Sequence, residues 1–247
     1  MSLTSQNLII LEKVDSTNNY AMAMVQNGEA NSGDCIFAIE QNSGKGRHGN
    51  TWKSQKGENI LISVIVQMQW LQVMQQFRLS VCASLACYDL FSKYTKENIK
   101  IKWPNDIFLN DSKAGGILIE NVIKGNLWQW SVIGIGLNIN QQNFKENKLK
   151  ATSLGQITAK HYDVIQLAHE LHNNVLTRLD ALRTDNFSKM LDEYNKNLFG
   201  RNKKVRLKKE NIVFETVIKK VSDTGELITK DAIERNFSFD EVKWVDL

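Results

Sequence analysis

The sequence predicts an α+β fold, a β-sheet flanked by helices and followed by a small β-barrel. Three observations carry this. Up to about residue 199, short apolar or alternating runs are interspersed with longer runs of helical apolar spacing. After Phe199-Gly200 the runs become short and strand-like, with turn signals between them. The 247 residues, 42% hydrophobic and 23% charged, suffice for one large domain and an appendage, with the division expected as 1–199 and 200–247. The net charge of +4 points to no particular class of partner.

Leu8 to Val14 reads as a first strand. Asp15-Ser16-Thr17-Asn18 then opens a helix, because such side chains cap free N–H groups. The helix is expected to reach Gln26 with Tyr20, Met24, Ala21 and Val25 inward, and Asn27-Gly28 ends it. Capping is the ordinary use of Ser16, Thr17 and Asn18, yet a strand-to-helix junction is also a ready anion site.

Asp34 to Gln41 and Asn59 to Met68 are strands that could pair and carry the segment between them. That segment, Gln41 to Trp52, holds Gly44, Gly46 and Gly49 with Lys45, Arg47 and His48, and no acid falls between Glu40 and Glu58. Glycines allow close backbone approach to a ligand, and the cations suit phosphate or carboxylate. The glycines spell G-x-G-x-x-G, but no helix opens after them, which excludes a dinucleotide fingerprint. Asn50 stands where a P-loop needs lysine. An anion-binding loop and a plain glycine-rich surface loop remain as readings.

Leu71 to Tyr94 is a core helix, with apolar residues at Phe77, Val81, Leu85, Tyr88 and Phe91. Ile99 to Ile107 holds the single proline, Pro104, which pushes Trp103 toward extended geometry before a turn at Asn105-Asp106. Lys102, Asn105 and Asp106 put a cation, an amide and a carboxylate at one strand end, a set that can orient a nucleotide and Mg²⁺. Lys113 to Glu120 is a strand with Gly115-Gly116 inside it. Leu127 to Asn140 is a strand punctured by Gly134 and Gly136 and carrying Asn138. Both patterns suit backbone held against a ligand.

Gln141 to Lys150 is polar, and Ala151 to Gly155 closes this half. His161 to Arg183 is an amphipathic helix and Asn186 to Asn197 another. His169 and His172 lack further ligand types nearby, so a metal is not expected there. Strands are expected at Arg201–Lys209, Val213–Val221, Glu226–Thr229 and Phe237–Val245. The basic run from Arg201 reads as a solvated strand face rather than a nucleic-acid contact. Cys35, Cys82 and Cys87 are odd in number and lie in apolar patterns, as reduced core thiols of a cytoplasmic protein do. The first residues carry no signal-peptide pattern, and no run is long enough for a membrane span.

Taken together, Asp15-Ser16-Thr17-Asn18, Gly44 to Gly49 with Trp52, Lys102 to Asp106, Lys113 to Leu118 and Gly134 to Asn138 resemble the biotin protein ligases over roughly residues 8 to 155. The resemblance implies a mixed sheet similar to class II aminoacyl-tRNA synthetases, then an SH3-like barrel. It implies a ligase-only member without an N-terminal DNA-binding domain, since the chain starts at the catalytic domain. Biotin, ATP and Mg²⁺ would form biotinyl-5′-AMP. The acyl group would then pass to a lysine of the biotin carboxyl carrier domain of a carboxylase, acetyl-CoA carboxylase among them.

By the same resemblance, Ser16, Thr17, Asn18, Gln41, Lys45, Gly46, Arg47, Lys113 and Gly116 bind biotin, with Lys113 and Arg47 also catalytic. Trp52, Lys102, Asn105, Asp106 and Asn138 attend the nucleotide, with Mg²⁺ near Asp106. Lys45, His48 and Asn50 stand at positions where the family commonly has arginine. No specific DNA binding and no membrane are expected, and a homodimer is compatible with the family. A lipoate or octanoate ligase of the same fold is the alternative.

Overall fold

The computed structural model describes residues 7–144, 150–184 and 186–245. Seven strands form the larger sheet: β1 (Leu8–Val14), β2 (Cys35–Gln41), β3 (Asn59–Gln67), β4 (Ile99–Lys102), β5 (Asp106–Leu109), β6 (Ser112–Lys124) and β7 (Leu127–Asn138). Their order is β1-β2-β3-β7-β6-β5-β4. β1 and β2 run parallel and the other pairs antiparallel, so the sheet is mixed. The strands flanking the glycine-basic loop do pair, Cys35 with Val64 and Phe37 with Ile62.

Alternation along β3 divides the two faces of the sheet. Ile60, Ile62 and Val64 join the main core beneath α2 (Phe77–Tyr94) and α4 (Val164–Arg183). Ile65 faces the other way, packing with Ala21 of α1 (Thr17–Asn27), Ile36 and Val132. Ser63 shares that second face. A polar residue therefore lies under α1 in an otherwise apolar strand, fully buried.

Several element limits differ from the sequence reading. α1 turns Thr17, Asn18 and Ala21 inward, whereas Tyr20 is exposed and Met24 only partly covered. The apolar stripe of α1 is narrow, and its buried face is largely polar. The helix expected from Leu71 starts at Phe77, preceded by a single 3₁₀ turn at Val73–Gln75. α4 starts at Val164, because Asp163 accepts N–H bonds from Ile165 and Gln166 at 2.9 and 3.0 Å. A short helix, α3 (Leu154–Thr158), was not expected; Ser153 and Gln156 form its capping box. α5 (Phe187–Lys196) matches the expected second helix. Of the polar stretch 141–150, residues 145–149 lie outside the described residues.

The smaller sheet has five antiparallel strands in the order β11-β10-β9-β8-β12. They are β8 (Lys204–Lys209), β9 (Ile212–Val221), β10 (Leu227–Lys230), β11 (Glu234–Phe237) and β12 (Lys243–Trp244). One strand expected over 237–245 is thus two. The chain breaks at 238–242, where Asp240 adopts the left-handed φ of 69°.

All three cysteines are free and buried, and burial pushes the Cys82 thiol up to about 12. His172 is a core histidine, with Nε2 2.8 Å from the Gly33 carbonyl oxygen. Among the described residues, no helix is long and apolar enough to cross a membrane.

Candidate functional site

A cavity of about 710 Å³ opens between the α1 face of the larger sheet and the glycine-basic loop. Its inner end is polar and cross-linked by hydrogen bonds. The Gln41 side-chain oxygen accepts from the Thr17 backbone N–H at 2.7 Å and from its hydroxyl at 3.1 Å. Ser63 Oγ lies 2.8 Å from Thr17 Oγ1 and 2.6 Å from Asn18 Oδ1. Asn18 Nδ2 donates to Glu120 Oε2 at 2.7 Å and to the Leu118 carbonyl at 3.3 Å. That fixes the Asn18 amide with its oxygen toward Ser63. Ser16 sits at the α1 N-cap and lines the cavity, yet its side chain makes no cap hydrogen bond. Plain capping therefore does not account for it.

The glycines of β6 and β7 make room for these groups. A Cβ on Gly134 would lie 2.2 Å from Asn18 Oδ1, and one on Gly136 would lie 2.6 Å from Trp52 Cε2. The Trp52 indole lies over this glycine wall, where a Cβ on Gly116 would meet Cζ3 at 3.2 Å. Among the described residues its buried Nε1–H has no partner, an uncommon state for a buried donor.

The outer end carries three cations, each beside a carboxylate. Lys113 Nζ lies 2.6 Å from Asp106 Oδ1 and 5.8 Å from the Trp52 ring centroid. Lys45 Nζ lies 3.8 Å from Glu120. Arg47 Nη2 donates to both Asp240 carboxylate oxygens at 2.9 Å. Asn105 and Ile117 exchange two bonds of 2.9 Å, which docks the turn after Pro104 onto β6.

The cavity thus gathers Ser16, Thr17, Asn18, Gln41, Lys45, Gly46, Arg47, Trp52, Asn105, Asp106, Lys113 and Gly116. Two expected residues lie elsewhere. The Asn138 amide is spent on the carbonyls of Lys113 and Thr152, at 3.4 and 3.0 Å, so it braces β7 instead of lining the cavity. Lys102 is buried between the Phe108 and Trp244 rings, 5.2 and 5.5 Å from their centroids. Burial, with Lys113 adding to it and Asp106 opposing, lowers its pKa to about 8.

Sequence reasoning missed Ser63, Glu120 and Asp240. Ser63 had a signal: it is the one hydroxyl inside the apolar run 60–66. Glu120 closes the expected strand but carries no mark of its partners. Asp240 was hidden by reading 237–245 as continuous strand. Among the described residues, no group of three His, Cys, Asp or Glu side chains could hold a metal by itself. Asp106 fits a different case, an ion arriving on a nucleotide's phosphates, which needs only one or two protein carboxylates.

A mixed sheet thus carries a pocket that is polar at one end and lined by lysine and arginine at the other. Residues 10–138 match the biotin/lipoate A/B protein ligase family, and the chain belongs to it. It is 29% identical over 198 residues to the bifunctional ligase/repressor BirA of Salmonella typhimurium, covering 78% of this chain and 60% of that protein. It is 29% identical over 184 residues to the biotin–[acetyl-CoA-carboxylase] ligase of Mycobacterium tuberculosis, covering 73% and 67%. The chain spans between 44% and 60% of the length of the BirA relatives it matches. The fold also matches a biotin protein ligase from Aquifex aeolicus solved with biotin and ATP, at TM-score 0.82 and 22% identity, over 97% of this chain and 98% of that one.

Proposed function

We propose that the chain is a biotin protein ligase. One observation carries the reading. The inner end of the cavity presents polar groups of Ser16, Thr17 and Asn18, the last two held from behind by Ser63, and the outer end presents Lys45, Arg47 and Lys113. A cyclic urea suits the first and a carboxylate with phosphates the second. Several of the relatives, the Mycobacterium tuberculosis ligase among them, and the solved neighbours carry biotin in their names, which supports the same assignment.

In the first step a biotin carboxylate oxygen attacks the α-phosphorus of ATP, and pyrophosphate leaves with the bond electrons. Lys113 and Arg47 neutralise the approaching anions, and Lys113 exchanges Asp106 for the ligand's oxygens. Asp106, once released, would hold a Mg²⁺ ion brought by the phosphates, which would supply further charge neutralisation there. In the second step a lysine amine of the carrier domain attacks the acyl carbon. The amine loses a proton and AMP departs. No protein nucleophile is required; positioning and charge stabilisation supply the rate. The loop and Trp52 keep water from the anhydride between the steps. Three buried free thiols support a cytoplasmic setting.

Lipoate lacks a urea. It has nothing to exchange hydrogen bonds with the Thr17 and Asn18 polar groups that line the inner end, and a site built for hydrogen bonding discriminates against such an analogue. The test is ATP–pyrophosphate exchange with each acid. Biotin is expected to support exchange and lipoate is not; equal exchange with both, or lipoate alone, would reject the biotin reading.

A further inference from the structure

The turn between β11 and β12 reaches the mouth of the cavity from the C-terminal sheet. Asp240, at its tip, receives two side chains of the glycine-basic loop. Arg47 Nη2 lies 2.9 Å from each of its oxygens, and His48 Nε2 lies 2.6 Å from Oδ1. Arg47 also sits over the ring of the adjacent Phe239, 5.6 Å from its centroid.

The turn has a firm foundation. Phe239 stacks on Trp103 at 5.6 Å and 22°, and it lies 6.0 Å from Phe77 of the main core. Trp103 Nε1 in turn donates to the Gly225 carbonyl at 2.9 Å. The carboxylate is therefore held by packed aromatic rings, not by a free loop. The loop tip is less well fastened. Its bonds from Gly46 N to Asn50 O and from Asn50 N to Arg47 O are internal to the loop. Three glycines lower its stiffness further.

We propose that Asp240 is a positioning residue of the ligation reaction. By holding Arg47 and His48 it keeps the glycine-basic loop across the cavity, so that the acyl-adenylate stays until an acceptor amine arrives. A single exposed ion pair would be too weak for this. Here the Arg47 guanidinium and the His48 ring nitrogen meet one anchored carboxylate, the Phe239 ring lies against Arg47, and Arg47 is 24% exposed. Asp240 takes only Nη2 of Arg47, which leaves Nε and Nη1 for a ligand's anionic oxygens. The inference rests on the biotin adenylation reading for its substrate, but the latch itself does not.

The test uses the full chain with Asp240→Asn, Asp240→Ala and Asp240→Glu. Loss of preformed biotinyl-AMP is followed after gel filtration. Hydrogen exchange over residues 46–50 is measured without ligand. The Asn and Ala variants are expected to lose the adenylate roughly tenfold faster. Asp240→Glu restores most of the retention, and the thermal midpoints remain close to wild type. Loop exchange speeds up in the Asn and Ala variants even with no ligand present. Unchanged loop exchange in Asp240→Asn overturns the latch. So does adenylate loss that rises only in proportion to lost thermal stability. Should the wild type form no biotinyl-AMP while loop exchange responds as expected, the biotin reading fails and the latch stands.

Discussion

The back and the front of the larger sheet handle charge in opposite ways. On the back, Arg178 of α4 meets Asp89 of α2 at 2.7 and 2.8 Å and Glu193 of α5 at 2.7 and 2.8 Å. Its charge is answered twice, which fastens three helices together and raises its pKa, chiefly through the Asp89 hydrogen bonds. On the front, Lys102 and Lys113 share the neighbourhood of one carboxylate, Asp106, and Lys113 takes it. The Trp52 N–H has no partner, and glycines replace side chains along β6 and β7. The ion pairs of the back are complete as they stand. The front is an arrangement that a polar, anionic ligand would complete. The Trp52 N–H is one of five buried side-chain atoms without a partner among the described residues, the others lying in α2, α5 and the smaller sheet, so the open, glycine-lined space beside the lysines is what marks the site.

This contrast can be broken most severely at Gly134. Gly134→Ala places a methyl 2.2 Å from Asn18 Oδ1. The Asn18–Ser63 pair must shift, and biotin-dependent pyrophosphate exchange is expected to fall roughly hundredfold, as a misplaced positioning group can cause. Circular dichroism is expected to show the fold retained. Arg178→Ala is the converse experiment. It leaves two carboxylates facing each other between helices and is expected to cost about 2 kcal/mol in urea unfolding, after allowance for their partial exposure. Exchange activity per folded molecule stays at the wild-type level.

Lys102→Met sharpens the comparison further, because removing a front charge should stabilise. The folded pKa of Lys102 lies at about 8, below its ordinary 10.5, with burial as the first cause. The unfolded chain thus binds the proton more tightly, and wild-type stability rises with pH between about 8 and 10.5. At pH 7 the variant is expected to gain about 1 kcal/mol, since methionine keeps the apolar contacts but loses the ring–cation attraction. That advantage shrinks across the same pH window, as thermal melts at several pH values would reveal. The smallest effect is expected at His172. Burial lowers its pKa from the ordinary 6.5, so the neutral ring is the folded form. Stability is then lost as pH falls below about 6.5, and His172→Gln should flatten that slope by a few tenths of a kcal/mol.

Much of the front was legible in the sequence because glycines and cations leave local signatures. The loop at 44–49, the turn at Trp103–Asp106 and the glycine strands all come together where the motifs implied. What stayed hidden depends on tertiary placement. Ser63 becomes a site residue only when strand alternation turns it under α1. Lys102 and Lys113 are both lysines at strand ends, yet aromatic packing buries one and leaves the other in the cavity. Asn138 is drawn away by two backbone carbonyls that no local pattern announces. The inward face of α1 was misread because apolar spacing ranks Tyr20 above Asn18, while the hydrogen bonds of Asn18 decide the matter.

Under the proposed function, the two ends of one cavity take the two ends of one molecule. A crystal structure of the chain soaked with biotin tests this most directly. It is expected to show the ureido ring within about 3.2 Å of Asn18 or Ser63 polar atoms. The carboxylate should point toward Lys113 and Arg47. A ring bound in the reverse sense, or biotin seated against other walls of the protein, would contradict the assignment.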